Sequence, residues 1–220
     1  IDQTSEFNKD TQNMGAGFSR LCWQGIVTMD YMKKLLLRTR PYELHVGDAD
    51  RAYLSARDAL CRQLAEHGKA GDTPRLARRL MEAVPVNRSE SRPKIGFIGE
   101  IYVRGTEFSN NYAIRRIEAL GGEASMPTMQ EWVDYMDWER KQELHRNHQY
   151  GSYVSQCASC MVQKMDVRRI RKSFRGALQH FFHESPTSEL MRHASPYVDQ
   201  AIRCGDTALG MGRAVEYAHK

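Results

Sequence analysis

At 220 residues the chain is long enough to bury a real core, as one domain or two small ones, and 41% apolar with 27% charged residues is ordinary globular composition. No apolar run reaches bilayer length and no charged-then-apolar signal segment opens the sequence, which sets a membrane role aside and makes a cytoplasmic protein the expectation. A net charge of +5 and an isoelectric point near 9.0 tolerate acidic partners such as phosphates, CoA or nucleic acid without demanding one.

Residues 1–13 are polar and aperiodic, as expected of a flexible leader. Residues 14–92 form a helical lead-in. Within it Leu21, Ile26, Met29, Met32, Leu36 and Leu37 recur at helical spacing between Phe18 and Arg38, and Pro41 stops that helix. A second helix runs from Asp48 to His67, with Ala52, Leu54, Ala59, Leu60 and Leu64 inside and Gly68 just past its end. Pro74 to Val84 makes a third. The polar stretch Pro85 to Pro93 follows as a linker and the best internal boundary.

Residues 93–220 are expected to form a Rossmann-like three-layer α/β domain with a small parallel sheet and several added helices. Lys94 to Arg104, β-branched at Ile95, Ile98 and Ile101, has the pattern of a buried strand. A polar, glycine-bearing loop leads into the helical pattern Ala113–Leu120, which ends at Gly121-Gly122, and Glu123 to Met126 gives a second short strand. In open α/β sheets ligands bind where strands end, so Gly99, Glu100, Tyr102, Arg104, Asn110 and Asn111 are the candidate ligand-binding residues. N–H groups at the helix start would favour an anion. The structural alternatives are that Asn110 caps the helix and that Glu100 pairs with an arginine such as Arg104. The glycine spacing does not fit G-x-G-x-x-G, and no P-loop, nucleophile elbow or H-E-x-x-H is present.

Thr128 and Glu131 fit a capping box, followed by an aromatic stripe of Trp132, Tyr135 and Met136 with Leu144 beyond, the pattern of a core-facing helix. Five cysteines, an odd number at irregular spacing, make no disulfide framework, and Cys22 and Cys61 fit small buried apolar positions. Cys157-Ala-Ser-Cys160 is either half a metal or redox site, with His145 and His148 as conceivable companions, or two thiols on a helical turn. Between 161 and 183 Val167, Ile170, Phe174, Leu178 and Phe181 fall on one stripe, with Lys164, Arg168, Arg171, Lys172 and Arg175 on its flank. That basic flank could follow a phosphate backbone, but no aromatic interleaves it, which weighs against nucleic acid and for a solvated or partner-facing surface. Ser185-Pro186 fits the start of another helix, and Gly210 and Gly212 in the last one imply close approach to a neighbour.

The run Gly99-Glu-Ile-Tyr-Val-Arg104 followed by Asn110-Asn111, then Ile117-Glu-Ala-Leu-Gly-Gly-Glu-Ala124, resembles the 2-hydroxyacyl-CoA dehydratases and the CoA-substrate-specific activases related to them. Trp23 to Asp30 with Thr39 to Glu43, and Ala194 to Val198 with Gly205 to Ala218, are similar to earlier and later family segments, so the resemblance spans roughly residues 14 to 219. It implies a parent protein with a [4Fe–4S] cluster held by cysteines, an acyl-CoA-type substrate, and an ATP-dependent activator or second dehydratase-like subunit as partner. The family's last cluster cysteine lies in a C-x-P-G segment that this sequence does not contain. These 220 residues are therefore expected to be part of something longer, to carry no cluster and to be inactive alone. The competing expectation is a non-catalytic interaction or nucleic-acid-binding domain that uses residues 164–175.

Overall fold

The computed structural model describes residues 16–177, 185–199 and 206–219. The chain divides into two compact units, one of Ile1–Val86 with Met161–Gln179 and the other of Asn87–Cys160 with His180–Lys220. Most of the described residues are helical, and the sheet they contain is a small parallel pair. None of the described helices is long and apolar enough to cross a membrane.

The first unit is helical. Helix α1 (Ala16–Thr39) buries Trp23, Val27, Tyr31, Met32, Leu35 and Leu36 along one side. Pro41 turns its end into a 3-10 turn over Arg40–Tyr42. Glu43 then bends over the start of α2 (Asp48–His67), accepting hydrogen bonds from the Gly47 and Ala49 backbone at 2.9 and 2.7 Å. A carboxylate suits the positive end of a helix. Gly68, at φ +60°, closes α2 by donating to the Leu64 carbonyl, the left-handed cap that glycine takes without strain. Ala49, Ala56 and Leu60 are the buried positions of α2. Leu54, expected inside, is 43% exposed, because the buried row runs through the small alanines. Helix α3 (Thr73–Glu82) buries Pro74, Ala77 and Met81.

The second unit holds strand β1 (Lys94–Gly96), α4 (Ile101–Gly105), α5 (Ala113–Ala119), strand β2 (Glu123–Ser125), α6 (Met129–Arg146), α8 (Thr187–Ala194) and α9 (Thr207–Ala218). The strands run parallel, pairing Lys94 with Glu123, Ile95 with Ala124 and Gly96 with Ser125. The expected strand from Lys94 to Arg104 is much shorter and is exposed rather than buried, with Ile95 at 40%. Glu100 is the physical reason: its carboxylate accepts from the Val103 N–H and caps a helix where the β-branched run alone favours extension. The aromatic stripe of α6 is core, as its spacing implies. Tyr135 is buried with Leu190, Met191, Ala208 and Leu209, and Trp132 and Met136 pack against them.

Helix α7 (Tyr150–Ser173) contributes to both units. In the first, its Asp166 binds Arg20 through two hydrogen bonds of 2.8 Å, Trp23 Nε1 donates to the Gln163 carbonyl, and Phe174 just beyond it meets the Tyr31 ring with centroids 5.4 Å apart. The expected helix of 161–183 thus starts earlier, at Tyr150. Ile170 and Phe174 are buried as the stripe implies, whereas Leu178 and Phe181 lie outside the described residues.

Candidate functional site

The β1–α4–α5–β2 segment brings the six predicted binding residues into one short stretch. The parallel order of the strands puts the start of α4, the start of α5 and the start of α6 at the carboxyl end of the sheet. Glu100 is exposed, and hydrogen bonds from the Val103 and Tyr102 backbone hold its carboxyl below the ordinary carboxylate range, helped by the Arg104 charge. Arg104 is buried, so it does not face a ligand from the surface. Asn110 ties the loop together: its amide donates to the Val103 and Arg104 carbonyls at 3.0 and 3.2 Å, and its oxygen accepts from the Ala113 N–H at 3.1 Å. Two of the predicted polar residues therefore have structural work: Glu100 opens α4, and Asn110 closes it and opens α5.

Three aromatic side chains have no such burial. Phe108 is 83%, Tyr102 69% and Tyr112 51% exposed. Only Tyr102 was in the sequence-derived set. Phe108 and Tyr112 were visible as aromatics flanking Ser-Asn-Asn in an otherwise polar loop, a signal outweighed there by charge. Asn111 and Tyr112 both sit at φ +54°. Asparagine tolerates the left-handed region, but a bulky tyrosine there is costly, about 1–3 kcal/mol. Gly99 and Gly105 were expected to allow close backbone approach. A Cβ on either would meet nothing within 4 Å, and neither has a positive φ, so no packing among the described residues requires glycine at these positions.

Behind this loop lies a polar network. Asp206 accepts from the Ile101 N–H at 3.0 Å and from Trp132 Nε1 at 2.6 Å, so the first turn of α4 already holds a carboxylate from α9. The anion was expected at the start of α5 rather than here; the start of α4, which lay inside the expected strand, is the one that receives a carboxylate from the protein itself. Arg213, 2% exposed, binds Glu131 and Glu216 together, and Ser185 Oγ donates to Glu216 at 2.7 Å. Burial works against the Arg213 charge, but the two carboxylates outweigh it and hold the guanidinium above its ordinary range. Glu131 thereby has a partner on α9, while Thr128 performs its half of the expected cap by accepting from the Glu131 N–H at 3.2 Å. Ser185, expected to cap α8, spends its hydroxyl on Glu216. Gly212 fulfils its expectation: a Cβ there would sit 2.1 Å from the Leu190 carbonyl oxygen, whereas at Gly210 the nearest atom is 3.9 Å away.

The Cys157 and Cys160 pair stands on one face of α7. Cys160 is buried, and burial, reinforced by Asp137, pushes its thiol up to about 11. Gln156 links Asp137 and the Cys160 sulfur. His145 and His148 are engaged with Tyr150, the latter through a 3.0 Å hydrogen bond. No group of three or more metal-binding side chains comes together among the described residues. Cys157 and Cys160 bring two sulfurs where a [4Fe–4S] cluster takes four, so no chemistry is routed through one at this place. Cys22 and Cys61, expected to be buried, are exposed.

Comparison with known proteins finds no match: no family model, no curated protein and no solved structure.

Proposed function

We propose that the chain is the acyl-CoA-binding α/β portion of an iron–sulfur protein related to the 2-hydroxyacyl-CoA dehydratases and their activases. In this reading β1–α4–α5–β2 is one unit of a Rossmann-like three-layer domain. The single observation that carries it is the segment from Gly99 to Tyr112 at the carboxyl end of a parallel strand pair, which presents three exposed aromatics, Tyr102 on α4 and Phe108 and Tyr112 around a strained turn. This is the same stretch whose motif resembles the family. Exposed aromatic faces suit the flat adenine ring of CoA, at about 1–3 kcal/mol per stacked base. Substrate turnover belongs to the full-length cytoplasmic parent, with its [4Fe–4S] cluster held outside these 220 residues and recharged by an ATP-dependent activator or second subunit. Glu100 and Asn110 hold the loop in shape, and Gly99 leaves its approach clear.

The test is calorimetric titration of CoA into the protein, together with iron content and a visible spectrum of anaerobically purified full-length parent. Phe108→Ala with Tyr112→Ala should weaken CoA binding by about tenfold or more, and Gly99→Val should weaken it without lowering the unfolding midpoint. Iron in the parent with a cluster absorption band is the expected companion result. A parent free of iron, or CoA binding indifferent to all three changes, sinks the reading.

A further inference from the structure

One surface of the first unit gathers cations along a single helix. Between Met161 and Ser173 the exposed positions of α7 include Lys164, Arg168, Arg169, Arg171 and Lys172, and Arg175 follows in the turn beyond. None of these six cations makes an ion pair among the described residues. The single acid of the segment, Asp166, is buried and taken by Arg20. The one acid of the segment, felt by Arg169 but bound by Arg20, leaves the charge on this face largely unbalanced on its own helix.

The face is also apolar at one end. Met161 is 65%, Met165 52% and Val162 40% exposed. At 100° per residue these three and the five helical cations share one half of the helix, opposite buried Asp166 and Ile170. Along about 18 Å of axis the face passes from methionine and valine to arginine and lysine. Water solvates the cations well, but it gives methionine side chains nothing.

We propose that this face of α7 docks an acidic protein surface, one that offers carboxylates to the arginine-rich end and apolar side chains to Met161, Val162 and Met165. Charge complementarity identifies the sign of the partner, and the apolar end identifies its class. A nucleic-acid duplex would satisfy the cations and leave the methionines wet, and unpaired strands need stacking aromatics, which the exposed half of this segment lacks. Arginine and methionine are both enriched in protein–protein interfaces. The proposal is independent of the acyl-CoA reading, because it uses none of the residues from 99 to 112.

The experiment uses fluorescence anisotropy with four labelled probes: an acidic amphipathic helical peptide of leucine and glutamate, poly-glutamate of equal length, a short DNA duplex, and vesicles of phosphatidylserine. The expected order puts the amphipathic peptide first, about tenfold or more tighter than poly-glutamate. Met161→Ser with Met165→Ser should erase that advantage at every salt concentration. Arg168→Glu, Arg171→Glu and Lys172→Glu together should abolish binding of both peptides, and the wild-type affinity should fall as salt rises. All five positions are exposed, and circular dichroism checks that the variants stay folded. The inference is overturned if the DNA duplex or the vesicles bind more tightly than the amphipathic peptide. It is equally overturned if no probe binds at low salt, or if charge reversal changes nothing.

Discussion

The two units bury different things. In the first, the large side chains driven fully inside are apolar (Val27, Met32, Leu36, Leu60 and Phe174) with the small hydroxyl of Thr28 beside them, while in the second Arg213 is as buried as Leu144 and Leu190. Apolar burial is non-directional, so most of the first unit's core asks for a helical period that keeps one side oily, with buried Arg40 on Asp50 and buried Asp166 on Arg20 as its polar pairs. A buried guanidinium needs Glu131 from α6 and Glu216 from α9 at the right places, and loses its stabilisation if either moves. The lesson is that the second unit trades tolerance for geometry: its helices are fixed by directional contacts that a sequence period does not encode.

Two substitutions break this contrast most sharply. Phe174→Ala should cost about 3–5 kcal/mol by leaving a cavity, with little change across neutral pH. Arg213→Met should cost a similar amount, about 3–5 kcal/mol, because it strands two buried carboxylates. Its loss should shrink as the pH drops toward about 4, where protonation neutralises them. Urea unfolding of both variants over a pH series checks this. Equal pH responses would show that the Arg213 cluster behaves as ordinary packing.

A smaller effect is expected where the sheet meets α9. A Cβ on Gly96 would lie 2.3 Å from the Tyr217 ring, so Gly96→Ala should lose about 1–3 kcal/mol. Adding Tyr217→Ala should remove most of that penalty, a coupling that a double-mutant cycle reads directly. Additive losses would mean that the ring swings aside at no cost.

The first unit has polar contacts of its own, and the Arg20–Asp166 pair among them is weaker. Asp166 is held below its ordinary value of 3.8, first by the Arg20 hydrogen bonds, with burial opposing them. A lowered carboxyl contributes stability that is present above pH 3.8 and is lost as the pH falls through its folded value. Arg20 is half exposed, so Asp166→Asn should cost about 1 kcal/mol at neutral pH and flatten the acid limb of the stability curve. An unchanged acid limb would show that solvent screens the pair completely.

The mildest prediction concerns thiols. With Cys160 pushed to about 11, its alkylation should stay slow until strongly alkaline pH, while exposed Cys22 and Cys61 react near neutrality. Mass spectrometry after timed iodoacetamide treatment distinguishes them. Fast labelling of Cys160 at neutral pH would argue that α7 opens around it.

The helices of both units were legible because their signals are local. Pro41, Gly68, the Thr128 cap and the α6 aromatic stripe each act within a turn or two of themselves. So was Gly212, whose missing Cβ has one neighbour to avoid. The candidate loop was legible as a place, through the strand, loop and helix order, but the roles within it were not. Glu100 looked like a ligand group and caps α4, and Arg104 looked like a second ligand-binding charge and is buried. Phe108 and Tyr112 emerge as its open faces only when exposure is known.

What the sequence determined alone, then, is most of the helices, several of their caps and the basic flank of α7, since helical period, caps and charge spacing are properties of neighbours along the chain. It did not determine α4 or the early start of α7. Only the tertiary structure decided that Asp206 fills the start of α4 from 105 residues away, that Arg213 reaches Glu131 across 82, and that Cys22 and Cys61 face outward. Those outcomes depend on which distant surface each side chain meets. A polar group finds its partner by geometry, and geometry across such separations is settled by the packing of whole helices.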